Sequence, residues 1–261
     1  MNNPTKMPVL FIGHGSPMNA LASNEYTRML NTLGQTLPVP KAIVMVSAHW
    51  MTRGTWVTAM PRPRTIHDFG GFPQALFDVQ YPAPGSPELA RLITEKITNP
   101  KIGEDLQEWG FDHGTWSILR HIYPNANIPV VQLSLDMTKP ASFHYDLGKQ
   151  LSFLRDQNVL VMASGNVVHN LRFIEWDEKA KPHAFAVEFD QWIQDNTVTH
   201  KDEDLVKHYL DHKDGQLSNP TQDHYYPFLV MLGAAQGSHE VKTIYSEIQN
   251  ASISMRSFMW S

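Results

Sequence analysis

The stretch VLFIGHGSP, residues 9–17, decides how the rest of the chain is read. Four consecutive apolar residues run straight into Gly13-His14-Gly15. An unbroken apolar run suits a parallel strand covered on both faces. Flanking glycines let the backbone turn sharply where such a strand stops. The same pattern recurs: AIVMVSA (42–48) leads into His49, and TWVTAM (55–60), IPVVQLSL (128–135) and NVLVMASG (158–165) read as further strands. Between them, apolar residues fall at three- and four-residue spacing, the helical signature. NEYTRMLNTLG (24–34) ends on Gly34 as a stop signal, and SPELARLITEKIT (86–98) opens with Ser86 as N-cap and Pro87 at the first helical position. PASFHYDLGKQLSFLRD (140–156) and KPHAFAVEFDQWIQD (181–195) continue the series.

Strand–helix alternation predicts an α/β fold. We expect a single domain over residues 1–261, with a mostly parallel central sheet flanked by helices. EVKTIYSEI and SISMRSFMW read as extra strands at an edge. Residues 61–85, rich in Pro, Gly and aromatics, lack a clear element. Loops of that length in compact domains are functional or disordered, and the aromatics argue against disorder.

Composition excludes several classes. The net charge is −5 and no basic run exists, so a nucleic-acid groove is not expected. No apolar run reaches the ~18 residues of a membrane span, and the first residues lack a signal peptide's apolar core. There are no cysteines, which removes disulfides, thiolate catalysis and Cys-based zinc sites. A cytoplasmic location is the default expectation. With 13 histidines, any metal site must be built from His and carboxylates.

Three histidines follow strand ends: His14, His49 and, four residues past its strand, His169. In an open α/β sheet the carboxyl ends of parallel strands form the ligand crevice, so these three rings would converge there. Each has a plainer reading as a hydrogen-bonded structural residue. GHGSPM also lacks the third glycine and the Lys-Ser/Thr that phosphate-cradling loops need. His224 stands at the N-terminal edge of the helix carrying Phe228, Leu229 and Leu232. The positive helix end disfavours a charged imidazole there, and the neutral ring is the form that binds metal. A surface residue near the cap fits equally well. His113, crowded by Asp112, Gly114 and Thr115, suits either a hydrogen-bonding role or a buried structural one. From the residues alone an oxygen-activating centre, a zinc-dependent hydrolase with a His-bound water and a closed four-His zinc module all stay open. The hydrolase would want an Arg/Lys clamp, and none is evident beside the histidine motifs.

Six separated motifs carry a resemblance: GHGSPMNAL, VSAHW, IHDFGGFPQALFDVQYPAPG, GFDHGTWSILRHIYP, SGNVVHNL and DHYYPFLVMLGAA. In this order they resemble the type III extradiol ring-cleaving dioxygenases, and within them the 4,5-DOPA extradiol dioxygenase family. The resemblance implies an enzyme that opens the ring of a catechol such as DOPA with O2, at a non-haem metal at one end of the sheet. It implies His14, His49 and His224 as metal ligands, His169 as acid/base, and His113 as a donor to bound substrate or oxygen. It also implies that His67, Asp68 and Phe69 border the substrate pocket. Many members of the broader superfamily use two His and a carboxylate. Here the third position is His224, with Asp223 beside it, as in the DOPA-type branch.

One divalent metal per chain follows. Fe(II) is expected for activity, because zinc has no redox chemistry; Zn(II) stands above Fe(II) in the Irving–Williams order and competes for the isolated site. The partners implied are a small aromatic substrate and O2, with neither nucleic acid nor membrane. Aromatics in residues 67–81, Trp50 and Trp116 would suit stacking on a planar ring, and Arg62, Arg64 or Asp68 could meet a charged tail.

Overall fold

A strand covered on both faces needs apolar side chains pointing both ways, and the central strands of this protein have them. The computed structural model describes residues 6–261, so the first five residues of the expected domain lie outside the described ones. In chain order the strands are β1 (Val9–Gly13), β2 (Ala42–Thr52), β3 (Thr55–Thr58), β4 (Arg64–Thr65), β5 (Ile102–Asp105) and β6 (Gly110–Phe111). They continue with β7 (Val130–Asp136), β8 (Val159–Gly165), β9 (Val241–Tyr245), β10 (Ile248–Gln249), β11 (Ile253–Ser254) and β12 (Ser257–Trp260). The helices are α1 (Glu25–Thr36), α2 (Gln74–Phe77), α3 (Pro87–Lys96), α4 (His113–Ile122), α5 (Ala141–Leu151), α6 (Ala184–Val198), α7 (Asp202–Lys207), α8 (Gly215–Ser218) and α9 (Tyr226–Ala234).

Eight strands make one sheet in the order β5-β3-β7-β2-β8-β1-β12-β9. Its centre, β7-β2-β8-β1, is parallel. β3 runs antiparallel to β7, and β12 antiparallel to β1. Val9, Phe11, Val44, Val46, Val159 and Val161 face one apolar cluster, while Leu10, Ile12, Ile43, Met45, Leu160 and Met162 face the other. Helices α5, α6, α7 and α9 close the first side, and α1 with α4 closes the second. Each large side chain buried this way contributes about 1.5–3 kcal/mol. Helix α9 is buried from Pro227 through Ala234, as expected of a helix apolar on every side.

The α/β class and the parallel centre agree with the sequence reading; several details differ. Gly34 does not stop α1. It lies inside the helix, where a Cβ would come 1.9 Å from the Ile122 carbonyl oxygen, so its role is to let α1 and α4 touch. The helix ends at Thr36 because Leu37 precedes a proline and takes extended backbone angles. Strand β2 runs past Ala48 to Thr52, which puts His49 inside the strand. The segment 140–156 is helical only to Leu151 and then tightens into a 3-10 turn over Ser152–Gln157. Residues 61–85 hold two short elements, β4 and α2. Only β9 of the C-terminal strands is at the sheet edge; β12 is inserted between it and β1.

The glycines around His14 have separate tasks. A Cβ on Gly13 would sit 2.6 Å from the Met255 backbone carbon, so its hydrogen allows the segment before β12 to cross over. Gly15 has φ of +61°, a left-handed turn that glycine adopts without strain.

Candidate active site

Parallel strands offer their carboxyl ends on one side of the sheet, and five histidines reach that side by different routes. His14 leaves the end of β1, its N–H still donating to Gly165 O at 3.2 Å. His49 lies where β2 loses register: from Val46 to Met51 it advances five residues while β7 advances two, from Leu133 to Leu135. Bulges of this kind re-aim side chains next to active sites. His113 is the first residue of α4, whose N-cap is Asp112. His224 immediately precedes the α9 cap, and its carbonyl accepts from Asn166 N at 2.9 Å, docking the helix on the end of β8. His169 is pinned by donating its N–H to Ser218 O at 2.9 Å and by a bridge to Ile253.

The rings meet. The His14 centroid is 5.0 Å from that of His49, 5.5 Å from His113 and 5.3 Å from His224. His49 and His113 are 3.9 Å apart. His169 lies flat on His224 at 3.5 Å, the planes 4° apart.

One donor nitrogen from each of His14, His49 and His224 lies within 4.8 Å of the others. His14 Nε2 and His49 Nε2 are 3.1 Å apart. Nitrogens on one cation at about 2.0–2.1 Å would stand roughly 2.9–3.4 Å from each other. The remaining ring nitrogens are already engaged: His14 Nδ1 with Ser164 Oγ at 2.8 Å, His224 Nδ1 with Asp223 Oδ2, and His49 Nδ1 at 3.4 Å from Asp68 Oδ2. A carboxylate only accepts, so the Nδ1 of His224 carries the hydrogen and its Nε2 keeps its lone pair, and the nearby Asp68 charge favours the same tautomer of His49. Ser164 Oγ serves His14 in the same way. Lone pairs facing at this distance repel unless a cation lies between them. Burial, followed by the neighbouring histidines, holds His14 and His49 well below the usual imidazole range, in the neutral, metal-binding form. The donor set therefore fits a divalent metal, with Asp68 and Asp223 behind two of the rings to offset its charge.

Asp68 has a second task. It accepts from His113 Nδ1 and from the His113 backbone N–H, both at 2.9 Å. Burial alone would raise its carboxyl, but the bonds to His113 outweigh burial and hold it below the usual range. Burial would likewise raise Asp223, and His224 outweighs it. Deeper in, Asp112 accepts from Ser47 Oγ at 2.7 Å, Thr115 N at 3.2 Å, Trp109 Nε1 at 3.3 Å and Gln132 Nε2. Burial and the charge of Asp68 nevertheless push it up to about 6. His169 is kept neutral by burial and then by His224.

All five rings line a cavity of about 580 Å³. Its other walls include Phe72, Leu171, Ile174 and Trp176, with Glu178 and Gln249 at the polar end. The expected pocket residues stand elsewhere. His67 Nε2 is bonded to Val79 O at 3.0 Å, Phe69 packs edge-on against His113 at 5.5 Å, and Asp68 lies behind His113. That loop reaches the cavity wall through Phe72. Trp50 stacks on Trp109 at 5.8 Å, and Trp116 Nε1 donates to Ile66 O at 2.8 Å, so both are committed to packing. Arg62 and Arg64 also lie outside the lining. The wall that sequence reasoning missed is the segment 171–178. Its one legible signal is Trp176, an aromatic among the charges of IEWDEK, which proves 90% exposed.

Residues 9–257 match the family of the catalytic LigB subunit of aromatic ring-opening dioxygenase. The chain belongs to that family. A 4,5-DOPA dioxygenase extradiol of Escherichia coli (strain K12) is 51% identical, over 97% of this chain and 94% of its own length. One from Mirabilis jalapa is 34% identical, over 90% and 89%. A crystal structure of an uncharacterized protein from Escherichia coli K12 superposes with a TM-score of 0.87 at 45% identity, covering 98% of this chain and 100% of the other. This LigB family member is thus a metal-dependent extradiol dioxygenase, and the hydrolase and closed-zinc readings fall away. No helix among its described residues is long and apolar enough to cross a membrane.

Proposed function

We propose that the chain acts as one catalytic unit over residues 1–261 and opens the ring of a DOPA-type catechol with dioxygen, using ferrous iron held by His14, His49 and His224. The observation that carries this reading is the convergence of three imidazoles whose outer nitrogens face Ser164, Asp68 and Asp223. When bound, a ferrous ion supplies the one-electron chemistry that lets triplet dioxygen react with a closed-shell ring; zinc would fill the same donors without it. Both oxygen atoms enter the product, and the carbon–carbon bond that breaks lies just outside the two hydroxylated carbons.

The protein's own groups orient the ring and move protons. His169 faces the cavity, and its ring has no hydrogen-bond partner among the described residues. It takes the proton of a catechol hydroxyl and returns one later. A positioned acid/base of this kind typically contributes about 10² to 10⁴-fold. His113, locked by Asp68 at both its backbone N–H and its ring, presents Nε2 to the bound substrate or oxygen. Phe72 and Trp176 offer apolar faces to the catechol. A ferrous centre is kept reduced most readily in the cytoplasm, where we place the enzyme.

The test is anaerobic loading with Fe(II) or Zn(II), followed by oxygen uptake and product spectra with a catechol panel. We expect uptake matched to ring opening with iron and none with zinc. Uptake that is absent with iron, or equal with zinc, overturns the reading.

A further inference from the structure

Apart from the histidines, every cavity-lining side chain among the described residues is neutral except Glu178. The carboxylate does not hang free. Its Oε1 accepts from Gln249 Nε2 at 3.1 Å and from Asn24 Nδ2 at 3.5 Å. Gln249 Oε1 faces Asn19 Nδ2 at 3.5 Å, and the same Nδ2 donates to the His14 carbonyl at 3.2 Å. A short chain of amides therefore ties the carboxylate to the backbone of a proposed metal ligand and fixes its position relative to the reacting ring. The Glu178 backbone is fixed too, its carbonyl accepting from Asn250 N at 3.1 Å. Glu178 is an exposed side chain, and its Oε2 has no protein partner among the described residues, so it is open to a ligand that enters the cavity.

The charge balance of the wall has a consequence for the substrate. Among the described residues no Lys or Arg lines the cavity, so a purely anionic tail would meet no side-chain cation and would be repelled by Glu178. A tail bearing an ammonium would gain a charge-assisted hydrogen bond to Oε2. We propose that Glu178 is a specificity-determining residue that selects catechols whose side chain carries an ammonium, the zwitterionic DOPA included, over catechols whose tail carries a carboxylate alone. The inference rests on the ring-opening function proposed above and names its substrate class. It also replaces Arg62, Arg64 and Asp68 as candidates for meeting the tail.

The test compares kcat/KM for dopamine, hydrocaffeate and unsubstituted catechol in the iron-loaded wild type, Glu178→Gln and Glu178→Lys. Dividing each value by that for unsubstituted catechol in the same variant cancels any general loss of activity. We expect wild type to prefer dopamine over hydrocaffeate. The normalised ratio should fall about tenfold in Glu178→Gln, the scale of one charge-assisted bond in a partly open site, and should reverse in Glu178→Lys. Wild-type discrimination should also shrink as salt rises. Ring opening with a ratio unchanged in both variants overturns this inference and leaves the functional reading standing. Failure of iron-loaded wild type to open DOPA or any of these three catechols overturns the functional reading and this inference with it.

Discussion

His224 illustrates how much of the centre is set by atoms that never meet the substrate. Its ring is held from behind by Asp223 and covered on one face by His169. Replacing Asp223 with Asn keeps the shape but loses an obligate acceptor for Nδ1–H. Iron affinity should fall about 10- to 100-fold, read by competition with a chelator, while iron-saturated turnover suffers less. His14→Ala or His49→Ala should leave the protein with less than stoichiometric metal by elemental analysis. His169→Ala, by contrast, should retain metal and lose roughly 10² to 10⁴-fold in turnover. Full turnover in that variant would remove His169 from the chemistry. At this scale the sequence was informative about rings and poor about their supports. His14 follows a strand and His224 precedes a helix, which places both at the crevice by topology alone, whereas His49 sits inside β2 and reaches it through the register slip. Asp68 and Glu178 owe their positions to partners 45 and 71 residues away, His113 and Gln249, and no local pattern announces such pairs.

At the scale of elements, the unbroken apolar runs marked the parallel strands because both sheet faces are buried. Their ends were read less well. The slip in β2 that aims His49 depends on pairing with β7, some 80 residues on, and cannot be seen from AIVMVSAHW alone. Gly34 misled for a similar reason: glycine near the end of a helical pattern usually signals a stop, but here it makes room for the Ile122 carbonyl of α4. Gly34→Ala in a helix interior would normally stabilise by about 1 kcal/mol. With a Cβ 1.9 Å from a backbone oxygen, α1 must instead move away from α4, and the melting temperature should drop. A rise in melting temperature would show that α1 and α4 separate without cost and would overturn the close-packing role of Gly34. The antiparallel insertion of β12 beside β1 was equally hidden, since an alternating short strand carries no mark of its neighbour.

Across the whole molecule, separate parts of the chain are tied together beneath the centre. Asp190 of α6 accepts from Arg256 Nε at 2.9 Å and Ser254 Oγ at 2.6 Å, and also pairs with Arg256 Nη2. Both partners are buried. Asp190→Ala would strand a guanidinium in the interior and should cost about 3–5 kcal/mol in urea unfolding. The metal contributes to the same framework, because its proposed ligands come from β1, β2 and the start of α9. Stripping it with a chelator should lower the melting temperature by roughly 5–10 °C at metal concentrations near a hundred times Kd, and readdition should restore it.

The β1–β12 pairing has a temporal consequence. Gly13 N–H donates to Ser257 Oγ at 3.0 Å, and Val9 lies opposite Trp260, so the strand that leads to His14 is complete on one side only when residues 244 positions later are present. During synthesis the ribosome exposes GHG long before it has made its neighbour. The nascent chain must therefore hold one edge of that apolar strand unzipped until β12 is made, and cation loading waits at least for the segment that carries His224.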